Sequence, residues 1–190
     1  TPVPAPATTG VDLDQGSGEV THNPGVRIFG GGQLYNASNA DNQDNTLAVG
    51  TTLVELSGAD SEVCDVIGGS TVSGTNAYRN NTVKLGSSEV HVTDAYVSGW
   101  VLGGNDVNWF GTGSVDGTTA ITVDGAARVG TVIGANTATF WGGYMFGAGV
   151  REASMTGSTS ISITADSTAG MVIGAGYAES SHESGSPSVG

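Results

Sequence analysis

The chain has 190 residues, among them 32 glycines, five basic and 18 acidic residues, and its formal charge is −13. This length fits one domain with a sizeable core. So negative a surface repels phosphate backbones and anionic lipids, which argues against nucleic-acid partners. Because no apolar run approaches about 18 residues, we expect no membrane insertion. The single cysteine, Cys64, excludes an internal disulfide.

The composition changes along the chain and suggests three segments. The Pro-rich start at 1–10 is typical of an extended, polyproline-like conformation. We therefore predict an extended N-terminal segment and cap over 1–24. We predict a repeat domain over 25–177, followed by a small, polar, Ser/Gly-rich tail over 178–190.

One short motif occurs five times in the repeat domain: two apolar residues followed by a pair of small residues, as in Val101-Leu102-Gly103-Gly104. We call these stretches the anchors. Successive anchors are separated by 38, 35, 31 and 40 residues, counted between Phe29, Ile67, Leu102, Ile133 and Ile173. Periods of about 20 to 50 residues are the signature of stacked repeat architectures.

A second alternating strand follows each of the first four anchors, at 46–49, 82–85, 120–123 and 160–163. Period two with one apolar face is the pattern of a strand. A third strand is visible in the first two repeats only, at 53–56 and 89–92.

These features predict an all-β fold, a parallel β-solenoid (β-helix) of about four to five coils with repeats of 31–40 residues. An antiparallel β-sandwich is the alternative, because short strands with turn signals suit it too. In the solenoid, equivalent apolar residues of successive repeats form core ladders. The predicted ladders are Ile28, Val66, Val101, Val132 and Val172, and Leu47, Val83, Ile121 and Ile161.

Aromatic residues concentrate in the loops between each anchor and the second strand. If these loops emerge on one side, their rings offer flat area for stacking on sugars or on a partner protein. Packing among themselves or over the solenoid is the alternative. The predicted interaction surface comprises Tyr35, Tyr78, Trp109, Phe110, Phe140, Trp141, Tyr144 and Phe146.

The sequence gives little support for catalysis or metal binding. His22, His91 and His182 are far apart and lack metal-ligand spacing. The stretch 103–106 is similar to part of a calcium-binding Gly-rich repeat, but it occurs once, and such repeats bind when stacked. We predict no catalytic residues, no metal and no cofactor.

The anchors at 66–69, 101–104 and 132–135, together with the Asn-Thr-Val strand at 81–83, resemble the Gly-rich β-solenoid repeats of bacterial autotransporter passengers and related surface adhesins. The resemblance covers roughly 25–177. It implies a secreted or bacterial cell-surface protein without enzymatic activity.

We therefore predict an extracellular structural protein that self-assembles through its ends and tails, as a head-to-tail filament or a surface layer. Its expected partners are copies of itself. An adhesin domain that binds a glycan or a host protein through the aromatic loops is the first alternative. A polysaccharide-active β-helix enzyme is the second alternative.

Overall fold

The computed structural model describes residues 25–36, 45–74, 81–108, 111–139, 152–164, 166–178 and 188–189. These residues form strands and turns, and no helix among them could span a membrane. The strands are β1 (Arg27–Phe29), β2 (Gln33–Asn36), β3 (Thr46–Ser57), β4 (Glu62–Val63), β5 (Asp65–Ile67), β6 (Thr71–Gly74), β7 (Asn81–Thr93), β8 (Tyr96–Leu102), β9 (Asp106–Asn108), β10 (Gly111–Val115), β11 (Thr119–Asp124), β12 (Arg128–Ile133), β13 (Thr137–Thr139), β14 (Glu152–Met155), β15 (Thr159–Ile163), β16 (Thr168–Ile173), β17 (Tyr177–Ala178) and β18 (Ser188–Val189).

The strands form three sheets that run along the axis of a solenoid. The first sheet has the order β1-β5-β8-β12-β16, with β4 also paired to β8, and the second has the order β2-β6-β9-β13-β17. In the third sheet, β7 pairs with β3 on one side and with both β10 and β11 on the other. Beyond them, β15 pairs with β11, β14 pairs with β10, and β18 pairs with β14. Every pairing among the described strands is parallel. The predicted parallel β-solenoid is confirmed, and the antiparallel sandwich is excluded.

The predicted number of coils is too high, because the structure has about three turns instead of four to five. A turn requires strands on all three sheets, and the last repeat contributes few residues to the second and third sheets. Its described strands there, β17 and β18, have two residues each. Counting anchors in the sequence overestimates the turns for this reason.

The first predicted ladder lies along the first sheet. Ile28 pairs with Val66, Val66 with Val101, Val101 with Val132, and Val132 with Val172. The three central valines are fully buried. They pack against the third sheet in one cluster that includes Val54, Val90 and Ile121.

The second predicted ladder is wrong in register. Val83 pairs with Leu47 on one side, but its partner on the other side is Gly113, and Ile121 pairs instead with Val90 and Ile161. In the first two repeats one long strand spans both halves of the third sheet, whereas later repeats divide it into two strands. The first of these, Gly-Thr-Gly-Ser-Val in β10, shows no apolar alternation, so the sequence pattern missed it.

Candidate functional site

The small-residue pairs form a corner between the first and second sheets, and each corner is hydrogen-bonded to the next. At the first residue of the pair, the Gly30 N–H donates to the Ile67 carbonyl (2.8 Å), and the Gly103 N–H donates to the Ile133 carbonyl (2.9 Å). At the second residue, the Gly104 N–H donates to the Ala135 carbonyl (2.9 Å). Two successive N–H groups of each corner thus point toward the C-terminal end of the solenoid.

Close stacking of these corners explains why the first position is always glycine. A Cβ built on Gly30, Gly68 or Gly103 would come within 3.0 Å of the carbonyl oxygen of the next corner. Real Cβ atoms do not occupy such positions, so another residue would push adjacent turns apart. Gly174, the fifth glycine in this position, differs because no atom of the described residues lies within 4 Å of its Cβ position.

Within the described ranges, the corner at Gly174 is the last one of the first sheet. We call this part of the structure the terminal rung: β15, β16 and the corner Gly174-Ala175. Val172 continues the buried ladder of the first sheet but is 49% exposed, and Ile163 of the third sheet is 37% exposed. Neither β15 nor β16 contains a charged residue. A small apolar cavity of about 110 Å³ opens beside it, lined by Trp100, Thr131, Ile133, Met171 and Ile173.

The opposite end, formed by β1, β2 and β3, is better covered. Ile28 and Leu56 are half-buried there, and Val54 is only 6% exposed. An ion-pair network fixes this end: Arg27 donates to Asp65 through Nε (2.7 Å) and to Asp106 through Nη2 (2.8 Å). The contact to Asp106 spans 79 residues of sequence and connects the first anchor strand to β9.

Burial and charge act in opposite directions on the Arg27 guanidinium. Burial lowers its pKa, but the hydrogen bond and negative charge of Asp106, with those of Asp65, raise the pKa above its ordinary value. The guanidinium therefore remains charged and holds the two carboxylates together. Each carboxylate also accepts a second hydrogen bond, Asp65 from the Trp100 N–H (2.8 Å) and Asp106 from the Thr71 hydroxyl (3.2 Å).

Cys64 lies between β4 and β5, next to Asp65 of the Arg27 network, and is half-buried. Burial raises the pKa of its thiol, and the Asp65 carboxylate raises it further, although a hydrogen bond with Ser98 opposes this. At neutral pH the thiol is therefore protonated and a poor nucleophile.

The predicted aromatic surface is not built by the described part of the structure. Tyr35 lies in β2 by its backbone, while its side chain is outside that part. The other seven predicted residues also lie outside the described residues: Tyr78, Trp109, Phe110, Phe140, Trp141, Tyr144 and Phe146. The aromatic surface stays a prediction.

Two sets of buried polar contacts were missed by the sequence reasoning. Asn105 accepts from the Ser70 N–H through Oδ1 (2.9 Å) and donates to the Ser114 carbonyl through Nδ2 (2.9 Å). Asn136 repeats this arrangement one turn later. Each asparagine directly follows an anchor, at the same position in two successive repeats. This repetition was the sequence feature that could have indicated their role.

The second set consists of hydroxyls on the third sheet that donate to the first glycine carbonyl of a corner. Ser88 donates to Gly103 (2.5 Å) and Thr119 to Gly134 (2.5 Å). Thr52 donates to Gly68, and Thr159 donates to Gly174 in the terminal rung. These bonds satisfy buried carbonyls that would otherwise lose their hydration.

No cluster of three or more His, Cys, Asp or Glu side chains that could hold a metal ion occurs within the described ranges. Comparison with family models, with curated proteins and with solved structures finds no match for this chain. The terminal rung is therefore the candidate site to which the geometry points.

Proposed function

We propose that this chain is a non-catalytic structural protein, a β-solenoid subunit that self-assembles end to end outside the cell. The observation that carries the proposal is the terminal rung, where Val172, a member of the core ladder, is half exposed. Solenoids need a polar cap at each end to remain monomeric. Here the two strands of the exposed end carry no charged residue, and the exposed Asp166 lies in the turn between them.

The backbone of the terminal rung supports the same conclusion. β15 pairs with β11 alone, and β16 with β12 alone, among the described strands. A strand edge with free N–H and C=O groups can bind a further strand, and soluble proteins usually block such edges with charges, prolines or covering loops. A further turn stacked here would pair the backbone N–H and C=O groups of the edge and would also bury Val172.

The distribution of charge favours contact at the ends over contact along the sides. With a formal charge of −13, two copies repel each other. Side-by-side packing brings charged faces together, and the third sheet carries Glu55, Glu89 and Asp124 there, all exposed. The strands of the terminal rung carry no charged residue, so contact there brings fewer charges together. The resemblance to repeats of surface-displayed proteins supports an extracellular location.

Replacing Val172 with asparagine tests the proposal without changing the net charge. We expect the wild-type chain to sediment far above its monomer mass and to form fibres by negative-stain microscopy. We expect Val172→Asn to weaken this association by about tenfold or more, because stacking would then bury an unpaired amide.

Tyr96→Asn is the matched control, since Tyr96 is 40% exposed but lies on the central strand β8, between Glu62 and Arg128 of the neighbouring strands. It should assemble like the wild type. A wild-type chain that stays monomeric at every concentration would refute self-assembly, and binding of such a monomer to a glycan array would favour the adhesin.

A further inference from the structure

We infer that the terminal rung binds the first corner of a second copy of this chain, Phe29 to Gly31, in the register that joins successive corners within one copy. This inference rests on the proposed self-assembly and specifies its interface. It places Val172 against Ile28 of the next copy and the Gly174 N–H against the Phe29 carbonyl. Three features support it: hydrogen-bond direction, apolar complementarity and the open space at Gly174.

Hydrogen-bond direction makes the two ends of the solenoid different and complementary. Each internal corner donates two N–H groups to the carbonyls of the following corner, as Gly134 does to Ile173 (2.8 Å) and Ala135 to Ala175 (3.2 Å). At the terminal rung, no described backbone group accepts from the Gly174 and Ala175 N–H groups. At the first corner, the matching acceptors are the carbonyls of Phe29 and Gly31. Donors thus face acceptors only when the end of one copy meets the start of another.

If two terminal rungs faced each other instead, the backbone N–H groups of one corner would face the N–H groups of the other, with no acceptor between them. Unpaired backbone N–H groups buried in such an interface would each cost free energy. The geometry therefore favours a heterologous, head-to-tail contact over a two-fold dimer. Contacts of this kind extend indefinitely when they do not close into a ring.

Apolar complementarity follows from continuing the two rows of the first sheet. Val172 ends the inner row that begins with Ile28, and both side chains are more exposed than the buried valines between them. The residue after each ladder position forms a second row, which packs as a separate cluster. This row begins with Phe29, includes the buried Ile67, Leu102 and Ile133, and ends with Ile173. Docking in register places Ile28 on Val172 and Phe29 on Ile173, beside the apolar cavity at Met171.

Gly174 is a corner glycine whose Cβ position has no neighbour among the described residues. Within one copy, glycine is required at this position because the next corner's carbonyl leaves no space for a Cβ. Gly174 has that space, and its φ lies outside the left-handed region, so alanine fits there without strain. In the docked complex, the Gly30 carbonyl of the second copy would lie against Gly174. A side chain at position 174 would then clash with that carbonyl, so glycine would be required there too.

Gly174→Ala therefore tests the register directly. We expect its thermal midpoint to equal that of the wild type, while its self-association measured by sedimentation weakens by about tenfold or more. Thr118→Ala, an exposed change between β10 and β11 in a central turn, is the matched control and should associate normally.

The double variant Ser162→Cys, Cys64→Ser tests the orientation, because its only thiol lies on the terminal rung. Ser162 is exposed on β15, and the variant should not form disulfide-linked dimers on oxidation, since terminal rungs do not meet in a head-to-tail contact. Efficient disulfide-linked dimers of this variant would overturn the inference in favour of a two-fold contact. Unaltered association of Gly174→Ala would overturn the register but leave self-assembly standing. A monomeric wild type would refute both.

Discussion

The central turns and the terminal rung place the same residue types in different surroundings. Val101 and Val132 are fully buried, whereas Val172, in the same row, is 49% exposed. Gly103 is confined by the next corner, whereas Gly174 faces open space. Because the local structure is the same, the difference measures what a stacked neighbour contributes. A turn of this solenoid is completed by the turn that follows it.

The largest effect should come from the buried amide of a central corner. Asn105→Ala removes the acceptor for the Ser70 N–H and the donor to the Ser114 carbonyl, leaving both without that partner. We expect a loss of about 3 kcal/mol of unfolding free energy, measured by urea denaturation. The exposed Ser162→Ala should change it by less than about 0.5 kcal/mol. Similar midpoints for the two variants would show that the corner amide is dispensable.

The next largest effect on stability should come from the corner glycines, because Gly103 in a central turn and Gly174 in the terminal rung can be compared directly. Gly103→Ala should destabilise the fold by about 1–3 kcal/mol, because its Cβ meets backbone atoms of the next corner and the turns must shift. Gly174→Ala should leave the unfolding free energy of the monomer unchanged, since nothing lies near the added carbon. Equal destabilisation by both changes would mean that conformational preference, rather than stacking, selects glycine here.

The smallest expected effect is a pH dependence at the edge of the third sheet. The Thr164 hydroxyl (2.5 Å) and the Gly125 N–H (2.7 Å) donate to Asp124 Oδ1 and lower the pKa of its carboxyl. A carboxyl with a lowered folded pKa contributes stability above its unfolded pKa of about 3.9 and loses it as the pH falls through the folded value.

Acid titration of the unfolding midpoint should show a small decrease below about pH 4 that Asp124→Asn lacks. The carboxyl is exposed, so the contribution is minor. Identical acid profiles for the variant and the wild type would show that these hydrogen bonds do not stabilise the fold.

The sequence predicted the first ladder because each anchor repeats the same apolar pair. It misaligned the second ladder because β10, with Gly111 and Gly113, carries too few apolar residues to show its period. Contacts between different sheets were also out of reach, such as that of Arg27 with Asp106, because they depend on where the chain changes sheet. The end near the fifth anchor could be expected, because no second alternating strand follows that anchor. The exposure of Val172 could not be predicted from its residue type, since the buried Val101 is also a valine.

The hydroxyl-to-glycine bonds divide each repeat into a part of fixed length and a part of variable length. The donor and acceptor are separated by 15 or 16 residues in every repeat, although the repeats step by 31 to 40 residues. Length variation is therefore confined to the path from a corner to the next hydroxyl. Foreign peptides inserted between the strands of that path should be displayed without disturbing the stack, whereas a single-residue insertion in the fixed part should shift the corner out of register.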